Sequence, residues 1–269
     1  MVLEQLFKLE WIEKREHAFF LGFLYSLVGI LSAWFIFPLY VGLTSIAFIS
    51  ILLIPSLNVL LRLGENAEIR EKKFSLKLLI NDHKDIIKIY FFMFIGIFFA
   101  YSMVTFLFPR IAISTLFEPQ LRSATVRGLA TFRSDLSTII VNNAIILMIC
   151  FFLSLIYGAG SIFFLTWNAS VWGVFFTFFV KQIATVQGGN PILIFLNLSL
   201  PFLPHLTTEA LGYVTAAIAG GIVSKAVLRE KLFSKKFYHI INDSIIFLIL
   251  GLLLIIIAAI VEVRLYSSV

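Results

Sequence analysis

Long uninterrupted apolar runs are the feature that most constrains how this chain folds. Seven of them, each about twenty residues long, are separated by polar or charged segments, and only 13% of the 269 residues are charged. A run of about 20 apolar residues forms a helix that crosses the roughly 30 Å hydrocarbon core of a bilayer. The sequence therefore predicts an all-α, polytopic transmembrane helix bundle. The predicted spans are 18–37, 39–61, 89–108, 138–157, 161–180, 205–228 and 244–263.

Four segments outside these spans are too short or too polar to cross the membrane. Residues 1–17 mix Leu, Phe and Trp with charged residues, a spacing that suits either a helix in the membrane interface or a solvated tail. The basic segment 62–88 predicts one or two interfacial helices, and the polar segment 110–137 predicts a small cap. Residues 192–200 follow a Gly-Gly-Asn-Pro turn and precede Pro201, so we interpret them as a re-entrant or interfacial half-helix.

The distribution of positive charge predicts how the spans are oriented. If the amino terminus is inside, 15 of the 21 Lys and Arg residues fall on inside segments, as the positive-inside rule expects. We therefore expect a multi-pass protein of the cell membrane with a cytoplasmic amino terminus and the carboxyl terminus outside. Because the charges follow this rule, the net charge of +6 predicts contact with the lipid bilayer and not with nucleic acid.

The sixth predicted span carries ionisable and small residues on one face. Five residues recur there at spacings of three or four: His205, Glu209, Gly212, Ala216 and Gly220. Such spacing aligns side chains along one side of a helix. An ionisable group is costly in hydrocarbon unless it is partnered, so this face must be buried in protein. The small residues predict close helix packing, either within the chain or against a second copy, so a homo-oligomer is one alternative.

Distances from the span edges predict which polar groups meet Glu209. Asn142 and Asn143 lie about five residues from the outer edge of the fourth span, and Glu209 lies about as far from the outer edge of the sixth. At 1.5 Å per residue these groups are roughly 6 to 8 Å deep, so we expect an intramembrane polar cluster of His205, Glu209, Asn142 and Asn143. Asn168 lies about 10 Å from the opposite face and is predicted to form a second polar site.

The residue types of the predicted cluster exclude some roles and leave others open. As a metal site it offers only His205 and Glu209, whereas zinc takes three or four ligands, and the single cysteine, Cys150, lies in an apolar run. Neither Gly-x-Ser-x-Gly nor His-Glu-x-x-His occurs, and no paired intramembrane acids are evident, so we predict no enzymatic activity, metal or cofactor. Two alternatives stay open: a hydrogen-bonded clasp between the fourth and sixth spans, and an ionisable site for transport.

Several short motifs follow one another along the chain: Asn142-Asn143, Gly158-x-Gly160, Asn168, Leu203-Pro204-His205 with Glu209, and Gly220-Gly221. With these residues the chain resembles the stage II sporulation protein M family of integral membrane proteins. The resemblance covers about residues 89–263. It implies a five-span core, 89–269, preceded by a two-span hairpin with a basic segment, 1–88. Where the family has Pro-His-Gly and Asn-Gly, this chain has Pro-His-Leu and Asn-Ala, which implies a distant member.

The resemblance also implies a kind of function. In endospore-forming bacteria the family member is a membrane scaffold that works with peptidoglycan-degrading partners during engulfment and is not a known enzyme. We therefore expect a non-enzymatic integral membrane scaffold or assembly component that organises membrane or cell-envelope partner proteins. The alternative is a permease-like transport component with an ionisable intramembrane site.

Overall fold

The computed structural model describes residues 15–68, 76–133 and 136–267. Within these ranges the chain is helical apart from short turns, and nine helices follow one another without a strand. We number them α1 (Arg15–Ile36), α2 (Val41–Glu68), α3 (Leu76–Leu107), α4 (Arg110–Leu116), α5 (Glu118–Arg133), α6 (Leu136–Tyr157), α7 (Ile162–Gln187), α8 (Pro191–Arg229) and α9 (Lys235–Ser267).

Six of these helices are long and apolar enough to cross a membrane, namely α1, α3, α6, α7, α8 and α9. The second predicted span lies in α2, where the apolar part that the structure describes, Val41–Leu57, is shorter. The prediction of an all-α polytopic helix bundle is confirmed, and the six helices indicate a multi-pass membrane protein.

The basic segment 62–88 does not form separate interfacial helices where the structure describes it. Residues up to Glu68 continue α2, and residues from Leu76 onward already belong to α3. The charged residues therefore extend α2 and α3 beyond their apolar parts. The division proposed at residue 88 also falls within α3, which continues through it. Residues 69–75, and most of the predicted interfacial helix at 1–17, lie outside the described residues.

The predicted half-helix at 192–200 is instead the first part of α8, which continues through Pro201 and Pro204. The helix starts where Asn190 Oδ1 accepts the Ile192 N–H at 2.9 Å. Proline removes a backbone donor, but a helix in the membrane can continue where neighbouring groups satisfy the carbonyls. The hydroxyl groups of Thr207 and Thr208 donate to the carbonyls of Leu203 and Pro204. These are not the carbonyls of Asn197 and Leu200, which lose their N–H donors to the two prolines.

The polar segment after α3 folds into the predicted cap, which inserts into the bundle. Phe117, between α4 and α5, is fully buried and lies edge-on to Tyr101 of α3 with ring centroids 5.8 Å apart. Gln120 of α5 is also fully buried, and its Nε2 donates to the Gly42 carbonyl of α2 at 2.7 Å. The cap therefore contacts the same helices that form the amino-terminal half of the bundle.

The first two helices pack directly on α3. A methyl group built on Gly96 of α3 would collide with the backbone carbonyl of Phe19 on α1, and one on Gly22 would collide with Met93. From α2, Ser45 shares a 2.8 Å hydrogen bond with the buried hydroxyl of Tyr101. The amino-terminal pair is thus joined to the remaining helices by close backbone packing and by a buried polar contact.

Lys181 of α7 donates hydrogen bonds to backbone carbonyls at the C-terminal end of α3. Its Nζ donates to the carbonyls of Thr105 and Phe106, each at 3.1 Å, and to that of Phe108. The last carbonyls of a helix have no intrahelical donor. We therefore expect Lys181→Met to lower the free energy of unfolding by about 1 to 3 kcal/mol, measured by thermal unfolding in detergent. The exposed neighbour provides the control, because Gln182→Met should change stability by less than about 0.5 kcal/mol. Equal losses in both variants would contradict this role.

Candidate functional site

Three polar side chains follow one another along a buried face of α8, beginning just after its second proline. His205, Glu209 and Tyr213 are spaced four residues apart, so successive side chains lie one above the other. Their exposed fractions are 6%, 4% and 1%. Buried polar groups of this kind need hydrogen-bond partners, and some of these partners are other residues on the same face of α8.

Both carboxyl oxygens of Glu209 contact side chains of its own helix. Its Oε2 lies 3.2 Å from His205 Nε2, and its Oε1 accepts the hydroxyl of Tyr213 at 2.6 Å. The same hydroxyl lies 3.3 Å from Oδ1 of Asn143, which is a buried residue of α6. The carboxyl group therefore links the α8 face to α6 through Tyr213.

The last helix completes the surroundings of His205. His205 Nδ1 lies 3.1 Å from the Ala258 carbonyl, one turn before Glu262 on α9. Glu262 Oε2 lies 3.7 Å from His205 Nε2, and its side chain is 13% exposed. On the other side, Trp172 of α7 stacks on the imidazole with ring centroids 6.0 Å apart and an interplanar angle of 26°. Three helices, α7 to α9, thus meet around the imidazole, and α6 reaches the same face of α8 through Asn143 and Tyr213.

We refer to Asn143, His205, Glu209, Tyr213 and Glu262 as the His205 cluster. The Ala258 carbonyl only accepts hydrogen bonds, so His205 Nδ1 carries a proton. His205 Nε2 faces carboxyl oxygens of Glu209 and Glu262, which also only accept when ionised. One further proton must therefore be shared among these three groups. The cluster can hold an exchangeable proton, either on the imidazole or on a carboxyl group.

In the part of the chain that the structure describes, no group of three or more His, Cys, Asp or Glu side chains is placed to hold a metal ion.

The structure brings together most of the residues that were predicted to meet. Asn143 joins His205 and Glu209, but Asn142 is exposed and lies outside the cluster. Adjacent residues of a helix point about 100° apart, so the two asparagines cannot share one face. Asn168 is fully buried and donates from Nδ2 to the Phe164 carbonyl of its own helix at 2.8 Å, which places it at a separate position on α7.

Two residues of the cluster were not predicted from the sequence. Tyr213 stands four residues after Glu209 and so continues its face. Glu262 lies one residue before the end of the last predicted span, at the same membrane edge as Glu209. The inference that paired intramembrane acids are absent was therefore wrong, because His205 brings these two carboxyl groups together.

The small residues of α8 pack against two neighbours and not one. A methyl group on Gly212 would lie 3.1 Å from the Gly251 carbonyl of α9, whereas one on Gly220 would collide with the Phe151 carbonyl of α6. Eight residues turn a helix by about 80° relative to whole turns, so the two glycines face different helices. Ala216, between them, is fully buried. This stripe is thus occupied by helices of the same chain.

A second acid and imidazole pair lies near the other end of α9. Nε2 of His239 is 3.4 Å from Oδ2 of Asp243, and the Asp243 residue is 3% exposed. The fully buried His83 of α3 packs edge-on against Phe247 with ring centroids 4.9 Å apart. At 1.5 Å per residue, Asp243 and Glu262 are about 28 Å apart along α9, so its two polar contacts stand one membrane thickness apart.

A comparison with known protein families, with curated proteins and with solved structures finds no match for this chain. The resemblance to the stage II sporulation protein M family therefore stays a prediction that rests on the sequence motifs.

Proposed function

We propose that the protein is a non-enzymatic integral membrane scaffold that organises membrane or cell-envelope partner proteins. The observation that supports this proposal is the closed hydrogen bonding of the His205 cluster. Both carboxyl oxygens of Glu209 and both ring nitrogens of His205 face partners within the same chain. A transport site must expose atoms that bind and release a ligand, whereas these atoms serve to hold helices together.

The packing of α8 supports the same proposal. Every residue from Gly212 to Ser224 is buried, so the helix is enclosed along most of its second half. Small residues there bring α8 close to α6 and α9 at the level of the backbone. A closely packed bundle of this kind suits a protein whose role is to present its surfaces to partners. The predicted resemblance also favours a scaffold over an enzyme.

The cap formed by α4 and α5 offers a direct test for partner proteins. Arg122 of α5 is exposed, and Ile51 is an exposed apolar residue in the apolar part of α2. A photo-crosslinking amino acid at position 122 should capture a membrane or envelope protein in living cells. The same amino acid at position 51 is the control for lipid-facing positions. Absence of a protein adduct at position 122, or equal adducts at positions 122 and 51, would contradict the scaffold.

A permease-like role with an ionisable site is the second candidate, and Glu262 is the observation that favours it. Its carboxyl oxygen stands 3.7 Å from His205 Nε2, beyond hydrogen-bonding distance, and its side chain is partly exposed. A proton entering by way of Glu262 would reach His205 and Glu209 in turn. Proteoliposomes containing a pH-sensitive dye distinguish the candidates, because the scaffold should leave proton flux equal to that of protein-free vesicles.

We further propose that the protein lies in the cell membrane with its amino terminus in the cytoplasm and its carboxyl terminus outside. Cysteine at position 236 is then expected to be protected from a membrane-impermeant thiol reagent in intact cells, and cysteine at position 122 to react. Both positions are exposed, and the native Cys150 is buried. Lysed cells, in which both positions should react, provide the control. The opposite labelling pattern would reverse the proposed orientation.

A further inference from the structure

The turn between α8 and α9 combines positive charge with exposed apolar side chains. Four cations and one acid occur between residues 229 and 236, and all four cations are exposed: Arg229, Lys231, Lys235 and Lys236. Leu228, Phe233 and Tyr238 beside them have exposed fractions of 79%, 75% and 53%. We refer to residues 227–238 as the α8–α9 patch. Its composition is that of a surface that contacts a membrane interface.

The position of the patch along α8 agrees with such a contact. From His205 to Arg229 the helix rises about 36 Å, which exceeds the roughly 30 Å thickness of a hydrocarbon core. The patch therefore lies at the membrane face opposite the His205 cluster. At that level, apolar side chains reach the acyl boundary while lysines reach the headgroups.

The backbone of the turn directs aromatic rings outward. Phe233 has a φ of 63°, a left-handed conformation that is unusual for a bulky residue. The Ser234 N–H donates to the Lys231 carbonyl at 3.0 Å, and the Phe237 N–H donates to Ser234 Oγ at 3.2 Å. The ring of Phe233 lies 6.5 Å from that of Phe237 and 6.4 Å from that of Tyr238. The turn thus places the exposed rings of Phe233 and Tyr238 beside that of Phe237, which is partly buried against the core.

Charge indicates what this surface meets. α9 begins with Lys235 and Lys236, and its first turn contains no acid. The positive end of the helix dipole disfavours cations there and favours anions. An anion placed against the patch would therefore compensate both the lysines and the dipole. In a membrane interface, the headgroups that carry a net negative charge are those of acidic phospholipids.

We propose that the α8–α9 patch binds the headgroups of anionic phospholipids. Lys231, Lys235 and Lys236 contact the phosphates, while Leu228 and Phe233 enter the boundary of the acyl chains. The patch would anchor the α8–α9 end of the bundle and select the lipids around it. This inference does not depend on the proposed scaffold function, because it concerns the opposite end of the bundle.

A tryptophan in place of Phe233 reports lipid contact directly. The full-length Phe233→Trp variant is reconstituted in vesicles that contain brominated phosphatidylglycerol or, at the same bromine content, brominated phosphatidylcholine. The parent protein supplies the background from its four native tryptophans. We expect the added tryptophan to be quenched more strongly by the anionic lipid. On this background, Lys235→Gln with Lys236→Gln should lower the preference for the anionic lipid roughly tenfold or more.

Lys84→Gln with Lys88→Gln is the matched control, because it removes the same charge from exposed residues near the start of another spanning helix. This pair should leave the preference of the added tryptophan unchanged. Equal quenching by both lipids, or an equal loss in the control pair, would overturn the proposal in favour of unspecific lipid contact. Absence of quenching by either lipid would also overturn it, since the patch would then lie outside the bilayer.

Discussion

Alanine in place of Gly220 is expected to destabilise the folded protein strongly, whereas alanine in place of Gly212 is expected to have little effect. A methyl group on Gly220 would collide with the Phe151 carbonyl and lie 2.9 Å from the Leu155 nitrogen, both of which belong to the backbone of α6. On Gly212, the nearest neighbours are the Gly251 carbonyl of α9 at 3.1 Å and side-chain carbons of Ile255 at 3.1 and 3.2 Å, distances that a shift of a few tenths of an ångström relieves. Only the alanine at position 220 is expected to force two helices apart.

The intrinsic helix propensities of glycine and alanine predict the opposite change in stability, so a loss of stability would be informative. Glycine in a helix interior is less favourable than alanine by about 1 kcal/mol, so both substitutions would stabilise α8 if packing did not oppose them. We expect Gly220→Ala to lower the free energy of unfolding by about 1 to 3 kcal/mol, and Gly220→Leu to prevent assembly. Thermal unfolding in detergent checks both. A Gly220→Leu variant with the stability of the parent would contradict the close contact of α8 with α6.

Leucine in place of Glu209 is expected to produce the second large loss of stability. Leucine removes the acceptor of the Tyr213 hydroxyl and the nearest partner of His205 Nε2, both of which stay buried. Each unpaired buried polar group costs roughly 1 to 3 kcal/mol. The Tyr213 hydroxyl keeps Asn143 at 3.3 Å, so we expect the total loss to stay near the cost of one group. Thermal unfolding of the purified protein measures it.

Glu209→Gln is the matched control, because an amide can replace every contact of the carboxyl group. Its oxygen can accept from Tyr213, and its N–H₂ can donate to His205 Nε2 in the tautomer that the Ala258 carbonyl requires. The free energy of unfolding of the glutamine variant should therefore lie within about 1 kcal/mol of that of the parent. A leucine variant as stable as the parent would contradict the role of the cluster in holding helices together.

Much of the fold could be predicted because the membrane restricts the options. Apolar length alone predicted the six long apolar helices, and the regular spacing of His205 and Glu209 predicted a buried polar face. The continuity of α8 could not be predicted in the same way. Pro201 and Pro204 favour a break by their own geometry, and whether the helix continues depends on which groups satisfy the carbonyls around them.

The composition of the site was only partly predictable for a related reason. Depth in the membrane predicted that Asn142 and Asn143 could both reach Glu209, but depth says nothing of direction around the helix axis, and Asn142 points elsewhere. Glu262 stood one residue from the end of its predicted span, shallower than Glu209, at a level where a charge is usually assigned to the interface. The small-residue stripe packs against two helices, α6 and α9. Which helices these are depends on how the bundle is arranged, and residue spacing along one helix does not reveal that arrangement.

Complementation by Glu209→Gln tests the central claim most directly, since that claim is that the His205 cluster joins helices and does not carry ions. The variant is expressed in cells that lack the gene, at the level of the parent protein, and scored for whatever phenotype the deletion causes. The amide keeps the hydrogen bonds of the cluster but cannot ionise. We expect full complementation. A variant that folds normally and fails to complement would contradict the clasp and favour the ionisable site.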